Sequence, residues 1–361
     1  MPSCPRGEIV RDGEVGVYHC WSRCVRRAFL CGIDPVTGQD FEYRRDWICQ
    51  FEERLAGLFG IEVAFRGELS NHIHLILRTR PDVVALWSDE EVARRWLTIT
   101  HLVRSKDGQT IKELADVRIA METADPQRID ELRGRLASVS YFMGALCEHI
   151  ARRSNIEDHC RGSFWEDRFK CRNLASEGAI LVCGIYIDLN QIRAGEALTP
   201  ETSRHTSAYD RIAGRRQRHT AAAQGIALAA DQAADGWLCE LTLEERIEQG
   251  ITANVRPTSA ATTSRRASDK GLLPIKLDEY LQLLDTSGRI VREGEKGAIP
   301  DHLAPILVRL GVNATFWGEL ITQFDRWFGH VVGKAQALTD RAASAGRRWY
   351  CGRARCADAF G

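Results

Sequence analysis

Ser70-Asn71-His72-Ile73-His74-Leu75-Ile76-Leu77 is the stretch whose reading decides the fold of this chain. It is a short run rich in isoleucine and leucine, and it reads as a β-strand. Side chains alternate along a strand, so His72 and His74 project from one face while Ile73 turns into a core. Two imidazoles on one face are a ready pair of metal ligands. The same spacing also suits half-buried surface histidines, so a third ligand and a chemical purpose must come from elsewhere in the chain.

Working outward, the run from Ile61 to Gly67 is also strand-like, and residues 68–71 join it to His72–Arg78 as an antiparallel hairpin. Upstream, Gly16 to Cys24 has the aromatic and β-branched content of a further strand, followed by the basic cluster Arg23, Arg26 and Arg27. Ile48, Phe51, Leu55 and Leu58 fall at helical spacing within 46–59, and Gly60 stops that helix. From Ser88 the period is helical again, with Val92, Trp96, Ile99 and Val103 on one side. One long helix is expected over about 127–154, with Leu132, Leu136, Tyr141, Leu146 and Ile150 in the core. Gly162 to Lys170 reads as a return to extended chain. Ser176 then caps a helix from Glu177 to about Ala194, closed by Gly195.

The chain has 361 residues, 44% of them hydrophobic, enough to bury a full core. Its 49 basic and 49 acidic residues cancel, so any site for a polyanion has to be a local patch. No apolar run approaches the roughly 18 residues that span a bilayer, and Met1 to Gly7 carry no apolar leader; a cytoplasmic protein with no membrane partner is expected. The 12 cysteines form no C-x-x-C pair, and neither Cys20, Cys24 and Cys31 nor Cys351 and Cys356 match a structural zinc spacing, so they read as reduced core residues. Residues 216–270, rich in Ala, Gln, Arg, Ser and Thr, read as a linker region with one short helix. Helical stripes return in 271–361, which reads as a small helical C-terminal domain. Its end interleaves Arg347, Arg348, Arg353 and Arg355 with Trp349 and Tyr350, a pattern that suits a grip on DNA and equally a basic helix end packed on its own domain.

The helix after Ser176 holds the other half of a possible site. Tyr186 and Asn190 are four residues apart and stand one turn above each other. Alone, they read as a rim tyrosine and a solvated amide. Together with the histidines they fit one mechanism: His72, His74 and the Asn190 amide hold a divalent cation, Mg2+ or Mn2+, with positions left for phosphate and water. Tyr186 is then the nucleophile that forms a phosphotyrosine. Arg23, Arg26, Arg27, Arg168 and Lys170 are candidate phosphate contacts, and Trp21 and Trp165 candidate stacking platforms for unpaired bases.

Asn71-His72-Ile73-His74-Leu75 resembles the HUH motif, and Tyr186 to Gly195 resembles the tyrosine helix, of the single-tyrosine HUH transposases, nearest to the group associated with repetitive extragenic palindromes. Val17 to Arg23 and Gly162 to Lys170 resemble further segments of that family, so the resemblance spans residues 10–215, with a helical insertion over about 85–155. It implies an α+β fold, a ferredoxin-like antiparallel sheet with helices, and a metal-dependent nick and strand transfer in single-stranded or hairpin DNA. By motif position Tyr186 would carry the 5′-phosphotyrosine, and His72, His74 and Asn190 would be the metal ligands. Gln191 departs from the proline that the family often places after the asparagine, which implies a helix that runs on past Asn190. A domesticated hairpin-DNA-binding protein without transposition, and a metallohydrolase acting through bound water, are the competing readings. The sequence leaves monomer and dimer equally open.

Overall fold

The computed structural model describes residues 5–25, 29–34, 36–104, 116–243, 264–293, 307 and 310–360. Arg26 and Arg27 lie outside the described residues. The architecture is α+β, with one five-stranded sheet in the order β2-β3-β1-β4-β5. The strands are β1 (Val17–Arg23), β2 (Ile61–Glu68), β3 (His72–Thr79), β4 (Lys170–Leu174) and β5 (Val331–Val332). β1 pairs antiparallel with both β3 and β4, and β2 with β3, so the hairpin carrying the two histidines forms as its sequence suggests. The sheet is not antiparallel throughout: β5 runs parallel to β4. It comes from the far end of the chain, and Asn173 and Ala175 donate backbone hydrogen bonds to the His330 and Val332 carbonyls, covering an otherwise open sheet edge.

Alternation divides the strands between two cores. On one face Tyr18, Cys20, Ile73, Leu75, Leu77 and Cys171 pack against α1 (Tyr43–Leu58), α2 (Asp89–Arg104), α3 (Pro126–Leu136) and α4 (Val139–Glu157). The single helix expected over 127–154 is thus two helices. Ser138 adopts an extended backbone (φ −101°, ψ 124°), and the Leu136 carbonyl accepts the Gly60 amide at 2.8 Å, which ends α3 against the sheet. Restarting at Val139 lets Leu132 and Leu136 on one helix and Leu146 and Ile150 on the other all reach the core, whereas Tyr141, expected there, is 42% exposed.

The opposite face carries α5 (Glu177–Asp188), capped as expected by Ser176, whose hydroxyl accepts the Ala179 amide at 3.2 Å. Every residue from Gly178 to Asp188 is buried. A helix apolar on all sides needs cover on all sides. Gly184 allows close approach to the sheet, because a Cβ there would meet the Phe65 ring at 2.7 Å. The outer side is covered by Tyr280, Leu283 and Leu284 of α8 (Leu277–Glu293) and by Trp317, Leu320 and Ile321 of α9 (Trp317–Thr322). The described residues of 271–361 therefore share the core of the sheet instead of closing on a core of their own.

Described residues of the region read as a linker are also built in. Helix α7 (Ser207–Ala223) runs through its start, after α6 (Asn190–Arg193). Trp237 and Cys239 are each 2% exposed, and the Cys239 amide donates to the Val63 carbonyl at 2.8 Å. The physical reason lies in buried charge. Arg78, paired with Glu62, satisfies its remaining donors on the Gly271 and Lys270 carbonyls at 2.8 and 2.6 Å, so that segment is held where an unpaired guanidinium would be costly. Among the described residues no helix is long and apolar enough to cross a membrane, and no disulfide joins two cysteines.

Candidate active site

The site is assembled where β1 and β3 lie side by side. In their register Trp21 faces His74 and Arg23 faces His72. His72 and His74 do share a face, the one covered by α5, with their rings 4.8 Å apart. His19 on β1 joins them: its Nε2 lies 2.8 Å from His74 Nδ1, and the two rings stack at 5.1 Å. His72 Nδ1 is 2.5 Å from Asn71 Oδ1, which orients the ring. Burial holds all three imidazoles below the usual histidine range; Arg172 adds to this at His19, Arg23 at His72, and the neighbouring histidines at His74. They are neutral near pH 7 and able to donate a lone pair.

Tyr186 reaches this cluster from α5. Its ring stands edge-on to His74, with centroids 6.0 Å apart, and it is 7% exposed. Its hydroxyl donates to Oδ2 of Asp325 at 2.5 Å. Asp325 lies on α10 (Phe324–Trp327), and its Oδ1 forms an ion pair with Arg172 of β4 at 3.1 Å. Burial, then the charge of Asp325 and its hydrogen bond, push the Tyr186 phenol above its usual range. For Asp325 burial acts upward, but Arg172 and His74 outweigh it and hold the carboxyl below the ordinary carboxylate range. Arg193 lies 5.0 Å over the Tyr186 ring.

Asn190 is 8% exposed and its Nδ2 has no hydrogen-bond partner. The helix implied by Gln191 does run on past Asn190 with one irregular residue: α5 ends at Asp188 and α6 begins at Asn190, and Leu189 between them keeps helical backbone (φ −89°, ψ −3°), its amide donating to the Ile185 carbonyl and its carbonyl accepting from Arg193. The Asp188 carboxylate holds this segment. It accepts hydrogen bonds from the Ser207 and Tyr280 hydroxyls and the Ala208 amide, which anchors this turn in the interior. Gln191 has a role of its own. Its side-chain amide donates to the Glu68 and Arg204 carbonyls at 3.1 and 2.7 Å, and Glu196 accepts from the Ser70 amide at 3.3 Å. The end of the tyrosine-bearing helix is thereby tied to the loop that leads into His72 and His74, so the two halves of the site are positioned as one unit.

A cleft of about 450 Å³ opens over the histidines. Trp21, Arg23, Arg168 and Lys170 line it, as do Glu166, Asp167 and Asp325, so its basic and acidic groups are balanced. Among the described residues Arg23 forms a solvent-exposed ion pair with Glu166 at 3.7 Å. Trp165 is not among the lining side chains. Its ring packs against the α1 to α4 core, and its indole N–H donates to the Cys147 carbonyl at 2.8 Å, so of the two tryptophans it is Trp21 that faces the cleft. Among the described residues no three His, Cys, Asp or Glu side chains group closely enough to hold a metal ion. A cation held by His72 and His74 thus needs a donor of another kind, such as an amide, a phosphate or water. In the C-terminal segment Arg347 pairs with Glu8, Arg355 lies 4.5 Å over Trp327, and Trp349 is 67% exposed.

His19, Arg172 and Asp325 are the members that sequence reasoning missed. His19 sits in a strand that the sequence does reveal, and its i, i+2 relation to Trp21 placed both on one face; the signal for Asp325 was absent. No family model, curated protein or solved structure matches the chain.

Proposed function

We propose that this protein is a metal-dependent DNA strand transferase that nicks single-stranded or hairpin DNA through Tyr186, as the resemblance to single-tyrosine HUH transposases implies. The observation that carries the reading is the convergence of Tyr186 on the His72 and His74 pair from an element more than a hundred residues away. The strand order β4-β1-β3-β2, with helices after β1 and β3, suits the β-α-β-β-α-β plan of a ferredoxin-like sheet, the fold expected of that family.

The donor chemistry suits a divalent cation: two neutral imidazoles on one face, His72 with its Nδ1 already satisfied, and the side-chain oxygen of the buried Asn190 amide. His72, His74 and Asn190 would hold Mg2+ or Mn2+, which supplies charge stabilisation to the scissile phosphate when bound. The residues of the chain do the rest. Tyr186 attacks phosphorus, the 3′ oxygen leaves, and a 5′-phosphotyrosine conserves the bond for rejoining. Arg168 and Lys170 hold flanking phosphates, and Trp21 offers a face for an unpaired base. His19, bonded to His74 Nδ1, orients that imidazole.

The test is incubation of the full chain with end-labelled hairpin DNA and Mn2+. A covalent protein–DNA adduct is expected, and Tyr186→Phe should abolish it, a loss of about a thousandfold or more. Cleavage that persists in the variant, without an adduct, would instead identify a hydrolase using bound water. A hairpin-binding protein without catalysis is the second reading. It is favoured by the burial of Tyr186, 7% exposed, and it predicts tight hairpin binding with no adduct under any metal.

A further inference from the structure

Among the described residues the Tyr186 hydroxyl has one hydrogen-bond partner, Asp325, which lines the cleft and comes from the last forty residues of the chain. Asp325 is held at both oxygens. Oδ2 receives the Tyr186 hydroxyl at 2.5 Å, and Oδ1 faces Arg172 at 3.1 Å. Arg172 is itself fixed: its side chain is 5% exposed, and its guanidinium lies between the rings of Trp21 and Phe324, at 4.8 and 5.1 Å. Phe324, the neighbour of Asp325, stacks obliquely on Tyr186 at 5.5 Å. The carboxylate therefore has little freedom to turn away from the phenol. Its side chain is nonetheless 44% exposed and lines the same cleft as His72 and His74. A carboxylate that is oriented on one side and open to solvent on the other is arranged to take a proton and pass it on. A mere tie between α10 and α5 would need no such opening.

Resting on the reading of Tyr186 as nucleophile, we infer that Asp325 is the catalytic proton acceptor for the Tyr186 hydroxyl, supplied to the site by the C-terminal segment. As the phenol oxygen forms its bond to phosphorus, its hydrogen passes to Asp325 Oδ2. The bond from phosphorus to the 3′ oxygen breaks, and that oxygen takes a proton from water. On rejoining, a 3′-hydroxyl attacks the phosphotyrosine, gives its own proton to water, and Asp325 returns its proton to the departing phenolate. Arg172 keeps the carboxylate in position through both steps.

The experiment measures single-turnover adduct formation with hairpin DNA and Mn2+ for the full chain carrying Asp325→Asn, Asp325→Glu and Asp325→Ala. Asparagine keeps the shape and can still accept the hydroxyl hydrogen bond, but it cannot take the proton. Its rate constant is expected to fall by about 10² to 10⁴, the range of general-base catalysis, with hairpin affinity within about threefold of the parent. Glutamate should recover part of the rate, and added formate should rescue Asp325→Ala in a saturable manner. Adduct formation in Asp325→Asn at or above the parental rate would overturn the assignment, making the aspartate a restraint on the tyrosine. Loss that neither glutamate nor formate restores would overturn it as well, in favour of a structural tie. Failure of the nucleophile reading looks different: adduct formation then survives Tyr186→Phe, or is missing in the parent protein.

Discussion

The two faces of the sheet are made from alternate residues of the same strands, and they do opposite work. Behind β1 and β3, Tyr18, Cys20, Ile73, Leu75 and Leu77 are wholly buried in an apolar core. In front, His19, Trp21, His72 and His74 stand at the intervening positions with Arg172 of β4. The polar face is incompletely satisfied: His19 Nδ1, Arg172 Nε and Asn190 Nδ2 are buried without hydrogen-bond partners. Such groups cost stability, of the order of 1–3 kcal/mol each when buried unpaired. Unpartnered polar atoms also occur behind the sheet, at Trp47 Nε1 and His149 Nδ1 among others, but those lie within the packed helices, whereas the groups in front stand beside a cleft lined by His72, His74 and Asp325.

That contrast can be broken from either side. The largest effect is expected at His72, at the half-buried end of its strand. His72→Ala should lower nicking by about a thousandfold, on the order of 4 kcal/mol in the barrier, while urea unfolding moves by less than about 1 kcal/mol. A large loss of stability would show that the histidine belongs to the scaffold. On the other face Leu146→Ala, at a wholly buried position of α4, should cost about 2–5 kcal/mol of stability and leave cleavage per folded molecule unchanged.

A smaller effect comes from His149, which stacks on Phe51 at 3.8 Å in the apolar core and is 2% exposed. Burial, helped by Arg153 and Arg54, lowers its pKa to about 4. The unfolded chain, with an ordinary histidine near 6.5, binds that proton first as the pH falls, so stability is full above about pH 6.5 and is lost down to about pH 4, by at most about 3 kcal/mol. His149→Phe should flatten that acid limb in urea titrations between pH 7 and 4. An unchanged limb would place the acid sensitivity elsewhere. The smallest effect belongs to the rim of the cleft. Lys170→Ala should weaken hairpin binding about tenfold at low salt and lower the salt slope by about one, as measured by fluorescence anisotropy. No change in slope would remove Lys170 from the DNA path.

What could be read from the sequence was whatever depends on neighbours along the chain. The alternation of Ser70 to Leu77 put two histidines on one face, and the spacing after Ser176 put Tyr186 one turn below Asn190, because strand and helix periods are local properties. Local pattern failed where a distant partner intervened. The helix over 127–154 splits because Ser138 must accommodate the contact between Leu136 and Gly60. The linker is drawn in by Arg78, which needs carbonyls for its buried guanidinium.

The sequence by itself determined β1, the hairpin of β2 and β3 and the helix capped by Ser176, the shared face of His72 and His74, and the spacing of Tyr186 and Asn190. Only the tertiary structure decided that His19 meets His74, that Gln191 ties the tyrosine helix to the histidine hairpin, and that the C-terminal residues complete the sheet and bring Asp325 to Tyr186. The signal that the tail would be needed was already present in Gly178 to Ile187, apolar on every side. Such a helix demands a second covering layer, but its own pattern cannot say which segment supplies it. Pairing register and the choice of covering segment are set by competition among all apolar surfaces of the chain, and that competition is settled only when the chain has folded.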